Sequence, residues 1–172
     1  LQTRLIADGK LGLHRQMGQL SLGLALAMVV LGYLVTRGAY PKPEFSIAGL
    51  SSAGSTIFPT SDMIVFVAAY GLGLVNRPKA QAHKRFMLLA GLLILDPAVS
   101  RIVLFGLQAP PPLILLIEAG LILSLLAYDV LKLRRPHWAS LTGLGLFVVM
   151  IALKMSQGES AWWLGTAKVL YG

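Results

Sequence analysis

The sequence contains no cysteine, which excludes disulfides, thiolate metal sites and thiol catalysis. It is also poor in charge. Asp, Glu, Lys and Arg make up 13% of the 172 residues, about half of what a soluble domain carries. Acidic residues are scarcest, at 7 against 15 Lys and Arg. No Gly-rich phosphate loop, HExxH element or Ser/His/Asp constellation is present, which removes the commonest nucleotide, zinc and acyl-transfer chemistries. No signal peptide is visible, and Leu1, not Met, stands first. Residues 1–10 therefore read as the tail of an earlier segment, and a further helix upstream is expected.

What is there is apolar: 56% of the residues are hydrophobic and the mean hydropathy is +0.73. The apolar runs are continuous and long enough to cross a bilayer as helices. Barrel strands would alternate apolar and polar residues instead. The expected fold is all-α, a polytopic transmembrane helical bundle in a single domain. Five spans are expected, at about 17–35, 60–75, 86–108, 113–130 and 138–155. Ser61 and Asp62 read as N-cap residues of the second. Pro97 is expected to kink the third by leaving the Leu93 carbonyl without its helical donor. The connection 37–59 is long and rich in Gly, Ser and Pro. The tail 159–172 holds Trp162, Trp163 and Tyr171, which suit a membrane interface.

The net charge of +8 resembles a nucleic-acid signal, but the basic residues sit between the apolar runs, where they set orientation. Arg4, Lys10, Arg15, Arg77, Lys79, Lys84, Arg85, Lys132, Arg134 and Arg135 fall on one side. Arg37, Lys42, Lys154 and Lys168 fall on the other. This asymmetry predicts a bacterial inner membrane with the first side cytoplasmic and the C-terminus periplasmic. The partners implied are the bilayer, its anionic lipids and other membrane subunits, with no nucleic acid. Arg15, Lys84, Arg85, Arg134 and Arg135 are the expected headgroup contacts.

Three charged residues lie within the runs: Asp96, Arg101 and Glu118. A charge at mid-bilayer costs about 2.5–3.5 kcal/mol on insertion scales, so such groups are paired or functional. Arg101 precedes the turn Pro110-Pro111-Pro112 by about as many residues as Glu118 follows it. Their equal depth predicts an ion pair between neighbouring helices. The trio is read either as a proton relay or as a neutralised network that fixes helix register. His14, His83 and His137 all fall at helix starts on the basic side. Two of them on adjacent helices suit a b-type haem, and three suit a metal. Each also has a basic neighbour, which suits phosphate headgroups.

His14-Arg15-Gln16-Met17-Gly18 forms an HRxxG-like element. His83-Lys84-Arg85-Phe86-Met87-Leu88-Leu89-Ala90 forms an HKRxMLLA-like element leading to Asp96 and Arg101. With these, residues 12–108 resemble a group of uncharacterised bacterial multi-pass inner-membrane proteins. The resemblance implies an inner-membrane helical bundle with one more helix upstream, and it assigns no catalytic residue. Three function classes follow. The sequence favours an accessory or scaffold subunit of a larger membrane complex, without catalysis of its own. The alternatives are a haem-binding redox protein and a small proton-coupled transporter.

Overall fold

The computed structural model describes Leu5 and residues 8–172. Arg4, counted among the basic residues above, and most of the expected upstream tail lie outside the described residues. The described chain is helical, and five of its helical segments are long and apolar enough to cross a membrane. These are Leu11–Ala39, Ser52–Val75, Ala80–Gly106, Pro112–Leu133 and Trp138–Gln157. In detail, the elements are α1 (Leu11–Ala39), α2 (Ser52–Ser55), α3 (Ile57–Val75), α4 (Ala80–Leu93), α5 (Asp96–Arg101), α6 (Pro112–Leu133), α7 (Trp138–Gln157) and α8 (Ala161–Tyr171).

The third span is not one helix. Pro97 has no N–H to give to the Leu93 carbonyl, and α4 stops at Leu93. After Ile94 and Leu95 the chain restarts as α5, with Asp96 and Pro97 in its first turn, where a carboxylate and a proline are both favoured. A π-helical turn, Ile102–Gly106, follows directly. The expected kink is thus a full interruption in the middle of the span.

The second helix also begins earlier than expected. Ser61 and Asp62 are not its cap: α3 starts at Ile57, and both residues lie inside it and are buried. Lys154, counted above with the loop cations although it stands at the end of the expected fifth span, sits within α7 and is buried.

The core forms where α3, α4 and α7 pack together, around Phe66, Ala69, Phe86, Leu89, Ala90 and Met150. Glycines set the closest approaches. A Cβ on Gly73 would lie 2.9 Å from Met87 Sδ, and one on Gly143 would collide with the Leu89 side chain. α1 lies at the edge of the bundle. Only Ala25 and Thr36 of it are buried, and most of its Leu and Val side chains face outward, as lipid contact requires, while Val29 packs on the core. It is tied in by Ser21 Oγ to Tyr70 OH (2.9 Å) and by Tyr33 OH, which donates to the Leu170 carbonyl (2.9 Å).

The 40–56 connection is not loose. Ser51 N donates to Glu159 Oε1 (2.6 Å), and Trp163 Nε1 donates to the Ala53 carbonyl (3.3 Å). Thr60 and Tyr171 share a hydrogen bond of 2.7 Å. Together these dock α2 and α8 across one end of the bundle. Trp163 and Tyr171 are buried there, while Trp162 is exposed.

Gly143→Val should lower stability by about 1–3 kcal/mol through overpacking against Leu89. Thermal unfolding in detergent measures this, with Gly145→Ala, which meets open space, expected to be neutral or stabilising.

Candidate functional site

Charged side chains gather at two levels of the bundle. Near the basic loops, Arg85 of α4 meets Asp129 of α6. Their side chains are 2% and 0% exposed. Arg85 Nε donates to Asp129 Oδ1 (2.9 Å), and a terminal guanidinium nitrogen reaches the same carboxylate. The other terminal nitrogen donates to the Gln81 carbonyl and side chain, both at 2.9 Å. Asp129 Oδ2 accepts from Ser140 Oγ (2.6 Å) and from the His137 backbone N–H (3.2 Å). Both partners are well supplied with hydrogen bonds, and the pair ties α4 and α6 to the start of α7.

Arg85, expected from the sequence as a headgroup contact, is instead buried in this pair. It is turned inward by a carboxylate that the sequence reading placed at the end of a span. Arg15, Lys84, Arg134 and Arg135 are exposed.

The other level is near the long loops. Lys154 of α7 lies 2.7 Å from Asp62 Oδ1 of α3 and also contacts Asp96 Oδ2 of α5. Ser100 Oγ donates to Asp96 Oδ1 (2.8 Å). The Lys154 ammonium stands 5.4 Å from the centre of the Phe58 ring. Glu118 of α6 is buried and within electrostatic range of Asp96, Lys154 and Asp62. Two carboxylates thus contact one ammonium, with the third, Glu118, nearby. The arrangement is incompletely bonded. Glu118 Oε1 is buried without a hydrogen-bond partner, and Asp62 Oδ1 is close to Lys154 but off the direction of a hydrogen bond.

The predicted pair between Arg101 and Glu118 does not form. Arg101 is exposed and donates to the Pro97 carbonyl at 2.9 Å. Equal depth was a sound argument, but equal depth does not give equal direction. The break at Ile94 and Leu95, followed by the π turn, re-aims this segment, so Asp96 faces the bundle and Arg101 faces out. Sequence reasoning also missed Asp62, Asp129 and Lys154. Each lies close to the end of an apolar run and was absorbed into a boundary. Extending each helix by a few residues places all three in its interior, and that extension was the available signal.

Two of the histidines, His83 and His137, bond backbone groups. His83 Nδ1 bonds the Gly73 carbonyl at 2.7 Å; since a carbonyl only accepts, Nδ1 carries the proton. His137 is the N-cap of α7, and its Nδ1 accepts from Ala139 N (3.1 Å). His14 is half-buried in the first turn of α1. Among the described residues, no three His, Cys, Asp or Glu side chains are grouped to hold a metal ion. The groove between α4 and α6 and the one lined by α3, α7 and α8 contain no histidine. No family model, curated protein or solved structure matches the chain.

Asp129→Ala should destabilise the protein by about 3–5 kcal/mol, because it strands a buried guanidinium. Arg85→Met combined with Asp129→Leu should recover most of that loss, and unfolding of both variants in detergent measures the difference.

Burial and the cations Arg85, Arg135 and Lys84 push His137 below its ordinary value of 6.5, despite the opposing pull of Asp129. The fold therefore prefers the neutral ring that caps α7. A depressed folded pKa means that its contribution is complete above pH 6.5 and is lost as pH falls through the lowered value. Wild-type stability should accordingly fall more steeply below pH 6.5 than that of His137→Ser, which keeps a cap but cannot titrate. Thermal unfolding against pH reads the two slopes.

Proposed function

We propose that this chain is a small multi-pass membrane protein that binds and passes protons at the centre formed by Asp62, Asp96, Glu118 and Lys154. The observation that carries the reading is the imbalance of that centre. Two carboxylates, Asp62 and Asp96, share a single ammonium inside the spans, and a third acid within electrostatic range, Glu118, has a buried oxygen, Oε1, with no partner. An uncompensated carboxylate in low dielectric costs several kcal/mol. A proton on one of the acids is the simplest compensation, and a group that holds a proton by so narrow a balance can also release it.

The interrupted third span supports the same reading. Broken helices in membranes occur where the backbone lines a site, and the break here presents Asp96 at the start of a half-helix. The sidedness read from the sequence joins the proposal. The Arg85 end faces the cytoplasm of a bacterial cell, and the end closed by α2 and α8 faces the periplasm.

A second reading, the accessory subunit, draws on α1, which buries only Ala25 and Thr36 and leaves a long apolar surface for lipid or a partner. Stoichiometric co-purification in mild detergent would favour it. The haem reading would require a Soret band that His83→Ala abolishes.

Reconstituted in liposomes holding a pH-sensitive dye, the protein should dissipate an imposed pH gradient. Glu118→Gln should slow this roughly tenfold or more, a barrier increase of about 1.4 kcal/mol, with helical content retained. Infrared spectroscopy at neutral pH should show a protonated carboxyl band that the same variant weakens. Wild-type flux no faster than in protein-free liposomes, with no such band, would sink the reading.

A further inference from the structure

A groove of about 590 Å³ lies between α4 and α6 at the level of the Arg85–Asp129 pair, within the roughly 300–1,000 Å³ range of small-molecule sites. It is separate from the acidic centre. One wall is the row Lys84, Leu88, Leu92, spaced by one helical turn each. The other carries Leu121, Leu125 and Tyr128. The two helices run in opposite directions, and the Arg85–Asp129 bridge fixes their register. That register puts Lys84 and Tyr128 at the same end of the groove. From there the leucines extend about 12 Å toward the middle of the bundle, at 1.5 Å per residue. The groove is therefore polar and cationic at its mouth and apolar along its length.

The charge at the mouth is in surplus. Lys84, Arg85 and Arg135 all act on His137 at this end, whereas Asp129 is the acid acting there and is already bonded to Arg85. Lys84 itself is exposed and lines the groove.

We propose that this groove seats one anionic glycerophospholipid of the surrounding leaflet, with its phosphate on Lys84 and Tyr128 and an acyl chain along Leu88, Leu92, Leu121 and Leu125. Amphipathic grooves between spans with a basic mouth have the geometry of such lipids, and a zwitterionic headgroup gains less from Lys84, because its own ammonium offsets the attraction of its phosphate. The Arg85–Asp129 pair acts as a spacer that holds the two walls apart in a fixed register. Arg85 also lines the groove, but its guanidinium is already bonded to Asp129 and Gln81.

Native mass spectrometry of the intact protein in mild detergent tests this, with phosphatidylglycerol and phosphatidylcholine added separately. Wild type should retain phosphatidylglycerol roughly fivefold more tightly than phosphatidylcholine. Lys84→Gln should abolish that preference while still binding lipid. Leu88→Trp, an outward-facing change at the groove, should reduce binding of both lipids. Arg101→Gln, an exposed cation on another segment, should change neither. A wild type without preference, a Lys84→Gln variant that keeps it, or an unaltered lipid load in Leu88→Trp would each overturn the proposal.

Discussion

Compensation of charge in a medium that cannot solvate it governs this structure. Of the seven acidic residues, Asp62, Asp96, Glu118 and Asp129 lie inside the spans, and each faces the bundle or another charge instead of lipid. Two cations, Arg85 and Lys154, meet them. Helix packing follows from this requirement as much as from apolar burial, because lipid tails solvate Leu as well as another helix does. α4, α6 and α7 are joined at one level by Arg85, Asp129 and Ser140. α3, α5 and α7 are joined at the other by Asp62, Asp96 and Lys154. α1 offers no charge to either set, and it is the span with the least buried surface.

The interrupted span shows how one residue serves this requirement. A continuous helix through Phe86–Arg101 would place Asp96 and Arg101 on widely separated faces and fix both directions at once. Pro97 removes the hydrogen bond that would hold the helix together at that point, and the chain resets its direction there. Asp96 then turns to Lys154, and Arg101 is released to the surface. Backbone bonds re-form around the break, with Leu95 N donating to the Leu92 carbonyl (3.3 Å) and Ala98 and Val99 N to the Leu95 carbonyl (2.8 and 2.9 Å), which limits the unmet groups at this depth.

Much of this architecture was legible in the sequence, because hydrophobic continuity over 18 or more residues has few readings other than a membrane helix. The identity of the buried acids Asp96 and Glu118 was legible for the same reason: they interrupt apolar runs visibly. Their partners were not. Asp62, Asp129 and Lys154 lie within a few residues of span ends, where a polar residue reads equally well as a cap, a boundary or a loop. Arg85 lies in a run of basic residues, and nothing in the local pattern separates it from Lys84, its outward-facing neighbour. Direction around a helix is fixed by three-dimensional contacts, and a break such as the one before Asp96 changes it by an amount that residue spacing does not encode.

The two charged levels differ in kind, and the difference gives them different roles. At the Arg85 level, one guanidinium meets one carboxylate, and both Asp129 oxygens are bonded. Any change of protonation there breaks bonds without making others, so the pair is rigid and its charge state is fixed. At the Lys154 level, the carboxylates outnumber the ammonium and Glu118 Oε1 has no bond to lose. On the proposed reading, a proton added or removed there would break fewer hydrogen bonds than one at the Arg85 level. Under the proposed function, a saturated pair beside an unsaturated centre, in the same bundle and sharing α6 and α7, would act as a fixed frame around the titrating group. An intramembrane proton site needs that combination, since a centre whose frame moved with every titration would lose its helices to the lipid.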